Sequence, residues 1–372
     1  MREEQVTKLL VDVPRWMLLE WLPQIFSLVA RNPPVPCADC LIACLGHVAA
    51  LFPQAVYYAF RVVRDDIAKD SIRSEKITSL LGDYQATERF CRALQLLQHP
   101  KAQIQNFLTN ILVPIVSHRA RAAQEPLVSR EVEVAYQELY EDCLDPNNEL
   151  VGQLRKEERR KFKKLQFLKD LGEDGKLSGE MSVKMAQKIE KSFSDWCAEE
   201  ANEEAKANKG QAPATQLLIA HFTGALESYD SDGVVLRIPG IEMGSSKVDC
   251  ADGEAGFVNL VSCDPTLKVM VFVQMPKRLK MRGGDGQEYW WLVKGGEDLR
   301  QDQRVQQIFR TMNRVLAGDT QCAKRRLALE VFKVIPISKA FGIIEWVRDT
   351  DKTLADMITA AAATVLQKTQ KD

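Results

Sequence analysis

The sequence predicts a multidomain chain that is all-helical up to about residue 226 and α+β beyond it. Apolar residues recur at three- and four-residue spacing up to about residue 130, and more strongly charged helical segments follow. Period-two runs of apolar residues begin after Leu226. We expect domains over residues 1–130, 131–226 and 227–372, since single domains commonly hold roughly 100–200 residues.

The first region is predicted to be a stack of helical hairpins. Trp16 to Leu28 and Cys40 to Leu51 each have one apolar helical face, and Asn32-Pro33-Pro34 and Pro53 separate the segments. Phe90–Leu97 continues the pattern. Prolines and short polar turns between amphipathic helices favour antiparallel neighbours.

The second region is predicted to be a small helical insert followed by a linker. Arg155–Lys164 mixes basic and acidic residues densely, and Glu199–Lys209 is almost purely polar. Gly210–Pro213 follows as a flexible connection. Charge runs of this kind favour solvated helix faces over binding patches.

The third region is predicted to be an antiparallel sheet with one main helix. Its strand-like runs are Val234–Ile238, Gly256–Val261, Leu267–Val273, Leu279–Arg282, Tyr289–Val293, Leu329–Ile337 and Phe341–Val347. Gly283–Gly286 predicts a hairpin between two of them. A helix from Val305 to Leu316, closed by Gly318, carries one apolar face, and Thr353–Gln367 predicts a final helix.

Composition limits the function classes. Fifty basic and fifty-one acidic residues give a net charge of −1, so we expect no direct nucleic-acid site in this segment. Nine cysteines without a signal peptide or a long apolar run predict a reducing compartment and no membrane contact. Cys37, Cys40 and Cys44 fit one buried helix face, so no metal site is predicted there.

The segment from Leu292 to Asp302 carries the strongest chemical signal. Lys294 ends a strand, Gly295-Gly296 turns the chain, and Glu297 and Asp302 stand at the start of a helix. An ammonium held by a carboxylate is what a nucleotide-phosphate site needs. By pattern alone, an ordinary surface lysine before an acidic helix start fits equally well.

Lys294-Gly-Gly-Glu-Asp-Leu-Arg-Gln-Asp302 resembles the signature of the phosphatidylinositol 3-kinase-related kinases. The resemblance implies that Lys294 binds the phosphates of ATP and that either Glu297 or Asp302 orients it. Phe341–Val347 is similar to the family's hinge, which implies adenine contacts from the Glu345 carbonyl, the Trp346 indole and the Val347 amide.

The loop before this signature departs from the family. Phe272 stands where the family commonly has a serine over the nucleotide. Lys277 and Arg278 follow a proline; contact with phosphate stays open for them, and a solvated turn is the more ordinary expectation.

The resemblance extends along the chain. Residues 12–60 resemble the family's helical FAT region, Glu138–Phe162 resembles the start of its rapamycin-binding-like insert, and residues 227–372 resemble a catalytic-domain small lobe with its hinge. It implies a nuclear serine/threonine protein kinase that uses ATP and Mg²⁺ in DNA double-strand break repair by nonhomologous end joining. The Ku heterodimer, DNA ends and protein substrates would be partners of a full-length protein.

The family's catalytic and magnesium loops are expected outside this chain. No Gly-Asp-Arg-His-x-x-Asn or Asp-Phe-Gly motif follows Val347, so we predict a fragment with no catalytic residue and no metal ligand of its own. Two other classes stay open: a phosphoinositide lipid kinase, which shares the signature, and a catalytically inactive scaffold or interaction fragment.

Overall fold

A computed structural model of the chain describes residues 7–10, 12–68, 70–179, 181–207, 216–226, 235–241, 257–270, 275–347 and 358–359. The helices of the first region are α1 (Arg15–Leu19), α2 (Leu22–Val29), α3 (Ala38–Ala49), α4 (Pro53–Ile67), α5 (Ser71–Leu81) and α6 (Gln85–Gln95). Pro53 opens α4, where the missing amide hydrogen costs no helical bond. The Asp70 side chain caps α5 by accepting from the Arg73 amide at 3.1 Å.

The second helical group has its own core. It comprises α7 (Pro100–Asn106), a π-helical turn (Phe107–Leu112), α8 (Val113–Arg121), α9 (Arg130–Cys143), α10 (Gln153–Phe162), α11 (Gln166–Leu171) and α12 (Val183–Ala207), with a short hairpin of β1 (Gly172–Glu173) and β2 (Lys176–Leu177). Phe107, Tyr136, Phe162 and Phe193 are fully buried at its centre.

A seven-stranded antiparallel sheet follows. Its elements are β3 (Gln216–Leu218), α13 (Ile219–Phe222), β4 (Leu260–Cys263), β5 (Thr266–Val269), β6 (Lys277–Gly283), β7 (Glu288–Gly295), α14 (Arg300–Gly318), α15 (Thr320–Lys324), β8 (Val334–Ser338) and β9 (Phe341–Glu345). The strand order is β3-β5-β6-β7-β9-β8, with β4 also paired to β6. The predicted hairpin at Gly283–Gly286 joins β6 to β7, and the helical and antiparallel-sheet content of the prediction is confirmed.

The first helices and the sheet share one hydrophobic core. Phe26, Phe60 and Phe90 from the helices are buried in the same cluster as Trp291 and Ile343 from the sheet. Arg61 on α4 donates to the Ile337 carbonyl on β8 at 2.8 Å, a buried bond between the two parts. The sheet is therefore built on the helices, whereas the predicted domain bounds remain a prediction.

The predicted apolar face of one helix is only partly buried. The helix over Val305–Leu316 is confirmed as α14, and of its apolar positions Phe309 and Leu316 are half-buried, whereas Val305, Ile308, Met312 and Val315 are exposed within the described structure. Two amides next to the half-buried positions bind an extended segment: Gln306 accepts from the Phe332 amide, and Asn313 bonds Leu329 in both directions. Leu329 and Phe332 use backbone groups on these amides, and the predicted strand from Leu329 begins only at Val334.

Several predictions fall on positions outside the described residues. These are the loop with Phe272, the linker Gly210–Pro213, Val234, and most of the helix Thr353–Gln367, of which residues 358–359 are described as helical. On α3, Cys40 and Cys44 are buried, and no group of three metal-ligating side chains occurs within the described ranges. No described helix is both long and apolar enough to cross a membrane.

Candidate nucleotide site

Strand register divides the residues of β7 between two faces of the sheet. Trp291 and Val293 are 1% and 3% exposed and point into the core shared with the helices. Trp290, Leu292 and Lys294 therefore point to the opposite face. Lys294 is paired with Gly342, and Leu292 with Ile344, so this part of β9 continues the same face.

Lys294 is held by the first of its two candidate carboxylates. Its Nζ lies 2.5 Å from Oε2 of Glu297, and the two side chains are 25% and 48% exposed. Asp302 is half-buried in the first turn of α14 and forms no ion pair with Lys294 among the described contacts. The structure thus resolves the open choice in favour of Glu297.

The chain after β9 brings Trp346 to the face of Lys294. Trp346 follows Ile344 by two residues, and its amide donates to the Trp290 carbonyl at 2.8 Å, which extends the ladder one step beyond β9. The Glu345 carboxylate is used inside the fold, accepting from the Lys333 amide at 2.9 Å and ammonium at 3.1 Å. A nucleotide contact from Glu345 is thus left to its backbone, as predicted; Val347 ends this described segment.

Arg278 lies between two indoles on this face. It is paired with Leu292 across β6 and β7, and its guanidinium carbon lies 4.8 Å from the Trp290 ring centre and 5.1 Å from that of Trp346. Both distances are within cation–π range. The expectation of a solvated turn is wrong for Arg278, because strand register turns it onto the two rings.

The neighbouring lysine points the other way. Lys277 is 2% exposed, with Nζ 3.2 Å from the Met275 carbonyl and 4.8 Å from the Phe222 ring centre. Burial, followed by the charge of Arg155, lowers its pKa to about 7. Lys277 therefore lies on the core side of the sheet, away from the face of Lys294. It is neither in a solvated turn nor placed to contact phosphate on that face.

The Gly-Gly turn after Lys294 packs closely against the helical region. A Cβ at Gly295 would lie 1.8 Å from Oε1 of Gln98, so only glycine allows this approach. Gly296 has a φ of 80°, which glycine tolerates best, and its amide donates to the Ala340 carbonyl at 2.8 Å. The Gln98 carbonyl accepts in turn from Arg155 at 2.6 Å.

The arrangement suits one kind of ligand. A cation at one end of a sheet face, and an aromatic ring beside a backbone edge at the other, match the phosphates and base of a purine nucleotide. No cluster of three metal-ligating side chains occurs among the described residues. The residues on this face fit the nucleotide.

The fold and the residues on this face resemble the small lobe of a kinase of the phosphatidylinositol 3-kinase type. Residues 288–364 match the family model described as phosphatidylinositol 3- and 4-kinase. That stretch contains β7 with Lys294, the acidic start of α14, and the hinge with Trp346.

The chain is similar over most of its length to DNA-dependent protein kinase catalytic subunits. It is 28% identical to the one from Dictyostelium discoideum, with 91% of this chain and 7% of that protein covered. For Canis lupus familiaris the identity is also 28%, covering 95% of this chain and 8% of that protein. The serine/threonine-protein kinase tor1 of Schizosaccharomyces pombe is 44% identical over 86 residues, 23% of this chain and 4% of that protein.

These matches confirm the family resemblance drawn from the sequence. The chain spans about 7–8% of the length of the curated relatives that it matches over most of its own length. It therefore carries kinase-domain sequence homologous to these proteins, while the activity of a whole protein is a matter for proposal.

The sequence did not predict the contacts of Arg278 with the two indoles, of Gln98 with Gly295, or of Arg61 with the Ile337 carbonyl. Period-two alternation through Arg278, Lys280 and Trp290 was a usable signal, because it assigns a basic and aromatic strip to one face. The Gln98–Gly295 approach and the Arg61–Ile337 bond join residues far apart in sequence. No local pattern marks either of them.

Proposed function

We propose that this chain forms the ATP-holding small lobe, with its helical support, of a serine/threonine protein kinase of the DNA-dependent protein kinase type. The observation that carries the proposal is that the Lys294 ammonium and the Trp346 indole lie on one face of the sheet. A triphosphate and its purine can then be held together in one crevice.

Each residue has a role in this proposal. Lys294, held by Glu297, neutralises phosphate oxygens, and the hinge holds adenine through the Glu345 carbonyl, the Trp346 indole and the Val347 amide. Asp302 lies in the first turn of α14, where it can contact groups that are bound to the phosphates. Bound magnesium supplies charge neutralisation between phosphate oxygens, and its ligands would come from outside the described residues.

The finer organisation follows the resemblance. Residues 1–130 correspond to FAT-type helices, 131–226 to a rapamycin-binding-like insert with its linker, and 227–372 to the small lobe and hinge. The second helical core combines Ile104–Val116 with residues 132–193 and so crosses the proposed boundary at residue 130, and the first core is continuous with the sheet.

The biological role is proposed for the whole protein. We infer action in the nucleus, in repair of DNA double-strand breaks by nonhomologous end joining, with the Ku heterodimer, DNA ends and protein substrates as partners of the full-length chain. The similarity to DNA-dependent protein kinase catalytic subunits supports this assignment. The net charge of −1 supports DNA contact through other parts of such a protein.

The test separates the two ends of the crevice. ATP, adenosine and inorganic tripolyphosphate are titrated into the 372-residue chain and its variants by calorimetry. Lys294→Met should weaken ATP and tripolyphosphate by tenfold or more and leave adenosine within about twofold, since about 1.4 kcal/mol corresponds to a factor of ten. Trp346→Leu should weaken ATP and adenosine and spare tripolyphosphate.

Three results would count against the proposal. Absence of ATP binding to the folded chain favours the alternative of a catalytically inactive scaffold, because the chain would then fold without having a nucleotide site. Lys324 is an exposed lysine on α15. Equal losses of ATP affinity from Lys294→Met and from Lys324→Met would show that the loss comes from the change in net charge and not from a contact at Lys294. Phosphorylation of phosphoinositide but not of peptide by a full-length relative would favour the lipid-kinase alternative.

A further inference from the structure

A cavity separate from the nucleotide face lies where the first helices meet the sheet. Its volume is about 410 Å³, and it is enclosed by α2, α4, the first turns of α14 and the start of β8. This volume falls within the range of small-molecule sites, roughly 300–1,000 Å³. The hollow is open to solvent on one side, so a ligand could enter it.

The inner wall of the cavity is apolar. Pro23, Ala30 and Val63, which are half-buried lining residues, supply its apolar surface above the almost fully buried Leu22, Phe26, Ala55 and Ile335. Ala59 adds a small side chain to the same wall. A hydrocarbon body placed here would lose its contact with water and gain close contacts on several sides.

The rim of the cavity is cationic. Arg31, Arg300 and Arg304 line it together with one carboxylate, Asp66. Arg300 is bonded to Asp298 at 2.6 and 2.8 Å, and Asp66 is paired with Lys339 at 3.2 Å. Arg31 and Arg304 are exposed, and neither forms an ion pair within the described part of the chain.

We propose that this cavity binds a small amphipathic organic anion, with an acyl body against Ala59 and Val63 and its anionic head between Arg31 and Arg304. An apolar hollow with unneutralised guanidinium groups at its mouth matches both ends of such a ligand. Carboxylate and phosphate heads share this chemistry, and the experiment below separates them.

The occupant would connect the helical scaffold to α14. Its head would lie on Arg304, two residues beyond Asp302, and its body would lie against α2 and α4. A ligand that binds only the assembled arrangement stabilises it in proportion to its own concentration and affinity. This inference does not depend on nucleotide binding.

The experiment titrates dansyl-labelled undecanoic acid into the full chain and follows the fluorescence of the dansyl group. Dodecanoate and dodecyl phosphate then compete for the probe, and their ratio identifies the preferred head group. Dodecan-1-ol, which has the same body without charge, should compete at least tenfold less well. Equal competition by the alcohol overturns the proposal.

Variants locate the probe. Arg304→Gln, an exposed change expected to preserve the fold, should weaken probe binding about fivefold or more, as loss of a charge-assisted contact predicts. Lys324→Gln on α15 removes one charge outside the cavity and should leave binding unchanged. Equal effects of the two variants overturn the proposal.

A filling variant tests the apolar wall. Ala59→Phe should abolish probe binding while the chain keeps its unfolding temperature within a few degrees. Undiminished binding in a folded Ala59→Phe chain overturns the proposed position. If Ala59→Phe does not fold, the comparison of Arg304→Gln with Lys324→Gln decides the matter alone.

Discussion

The Nζ of Lys294 lies 2.5 Å from Oε2 of Glu297, across the Gly-Gly turn that follows β7. Both side chains are partly exposed, so the pair adds no more than about 1 kcal/mol to the free energy of unfolding. Its consequence is positional, because it fixes the direction of the ammonium. Glu297→Gln should therefore weaken ATP binding about three- to tenfold and leave the unfolding temperature nearly unchanged, measured by calorimetry and thermal unfolding.

A matched control is Asp302→Asn, on the other carboxylate near the lysine. Because Asp302 forms no ion pair with Lys294 among the described contacts, its effect on affinity for metal-free ATP should be smaller than that of Glu297→Gln. The reverse order would show that Asp302 orients the lysine once nucleotide is bound.

Arg278 should act as a positioning residue for the hinge indole. Its guanidinium lies 4.8 Å from Trp290 and 5.1 Å from Trp346, and a contact of this kind contributes about 0.5–2 kcal/mol. Arg278→Met keeps the length of the side chain and removes the charge. It should weaken ATP and adenosine by the same factor, about three- to tenfold, and make the Trp346 fluorescence more accessible to acrylamide. Tighter adenosine binding would show instead that the guanidinium occupies the place of the purine.

Arg61 should be essential to the joint between helices and sheet. It is buried, donates to Glu88 at 2.9 Å and to the Ile337 carbonyl at 2.8 Å, and its removal leaves a partly buried carboxylate and a buried carbonyl without this partner. Breaking a buried pair in this way costs about 3–5 kcal/mol. Arg61→Ala should lower the free energy of unfolding by that order, measured in urea.

Two changes on the same elements check the cause. Arg64→Ala, on the next turn of α4 and more exposed, should cost about 1 kcal/mol or less. Glu88→Gln in an Arg61→Met background should recover part of the loss, because it removes the stranded charge. No recovery would mean that the lost contact with Ile337 dominates.

Two glycines near Lys294 should respond differently to alanine. A Cβ at Gly342 would lie 2.5 Å from the Ile335 carbonyl oxygen and 2.9 Å from the Pro336 Cα, both of them backbone atoms of β8. A Cβ at Gly295 would meet the end of a flexible side chain, Gln98. Gly342→Ala should therefore cost about 2 kcal/mol or more and Gly295→Ala less, as overpacking of fixed and movable neighbours predicts. Unfolding in urea gives the order, and Gln98→Ala should rescue only Gly295→Ala.

Local patterns in the sequence were sufficient for the framework of the site. Period-two runs identified β6 and β7 and their hairpin, and the signature from Lys294 to Asp302 identified the turn and the helix after it. Helical periodicity identified α14 but not which part of its apolar face is covered, because the amides of Gln306 and Asn313 bind an extended segment that no periodicity reveals. Contacts that depend on the docking of distant elements, such as Gln98 on Gly295, could be known only from the fold.

The buried ammonium of Lys277 makes the stability of the chain depend on pH. Its pKa is about 7 in the folded chain, against an ordinary value of 10.5, because burial and then the charge of Arg155 disfavour its charged form. The unfolded chain therefore binds more protons between these two values, and the free energy of unfolding should rise with pH there by at most about 1.4 kcal/mol per pH unit. Below pH 7 both states are protonated and the full penalty remains.

Lys277→Met should be more stable than the original chain at pH 6, with a difference that shrinks by on the order of 2 kcal/mol by pH 9 in urea unfolding. His99, whose pKa burial lowers to about 3, is neutral in the folded chain over this range and partly protonated in the unfolded chain near pH 6, but both chains contain it, so its contribution cancels in the comparison. A difference between the two chains that stays constant from pH 6 to pH 9 would mean that Lys277 remains charged in the folded protein, held by its contacts with the Met275 carbonyl and the Phe222 ring.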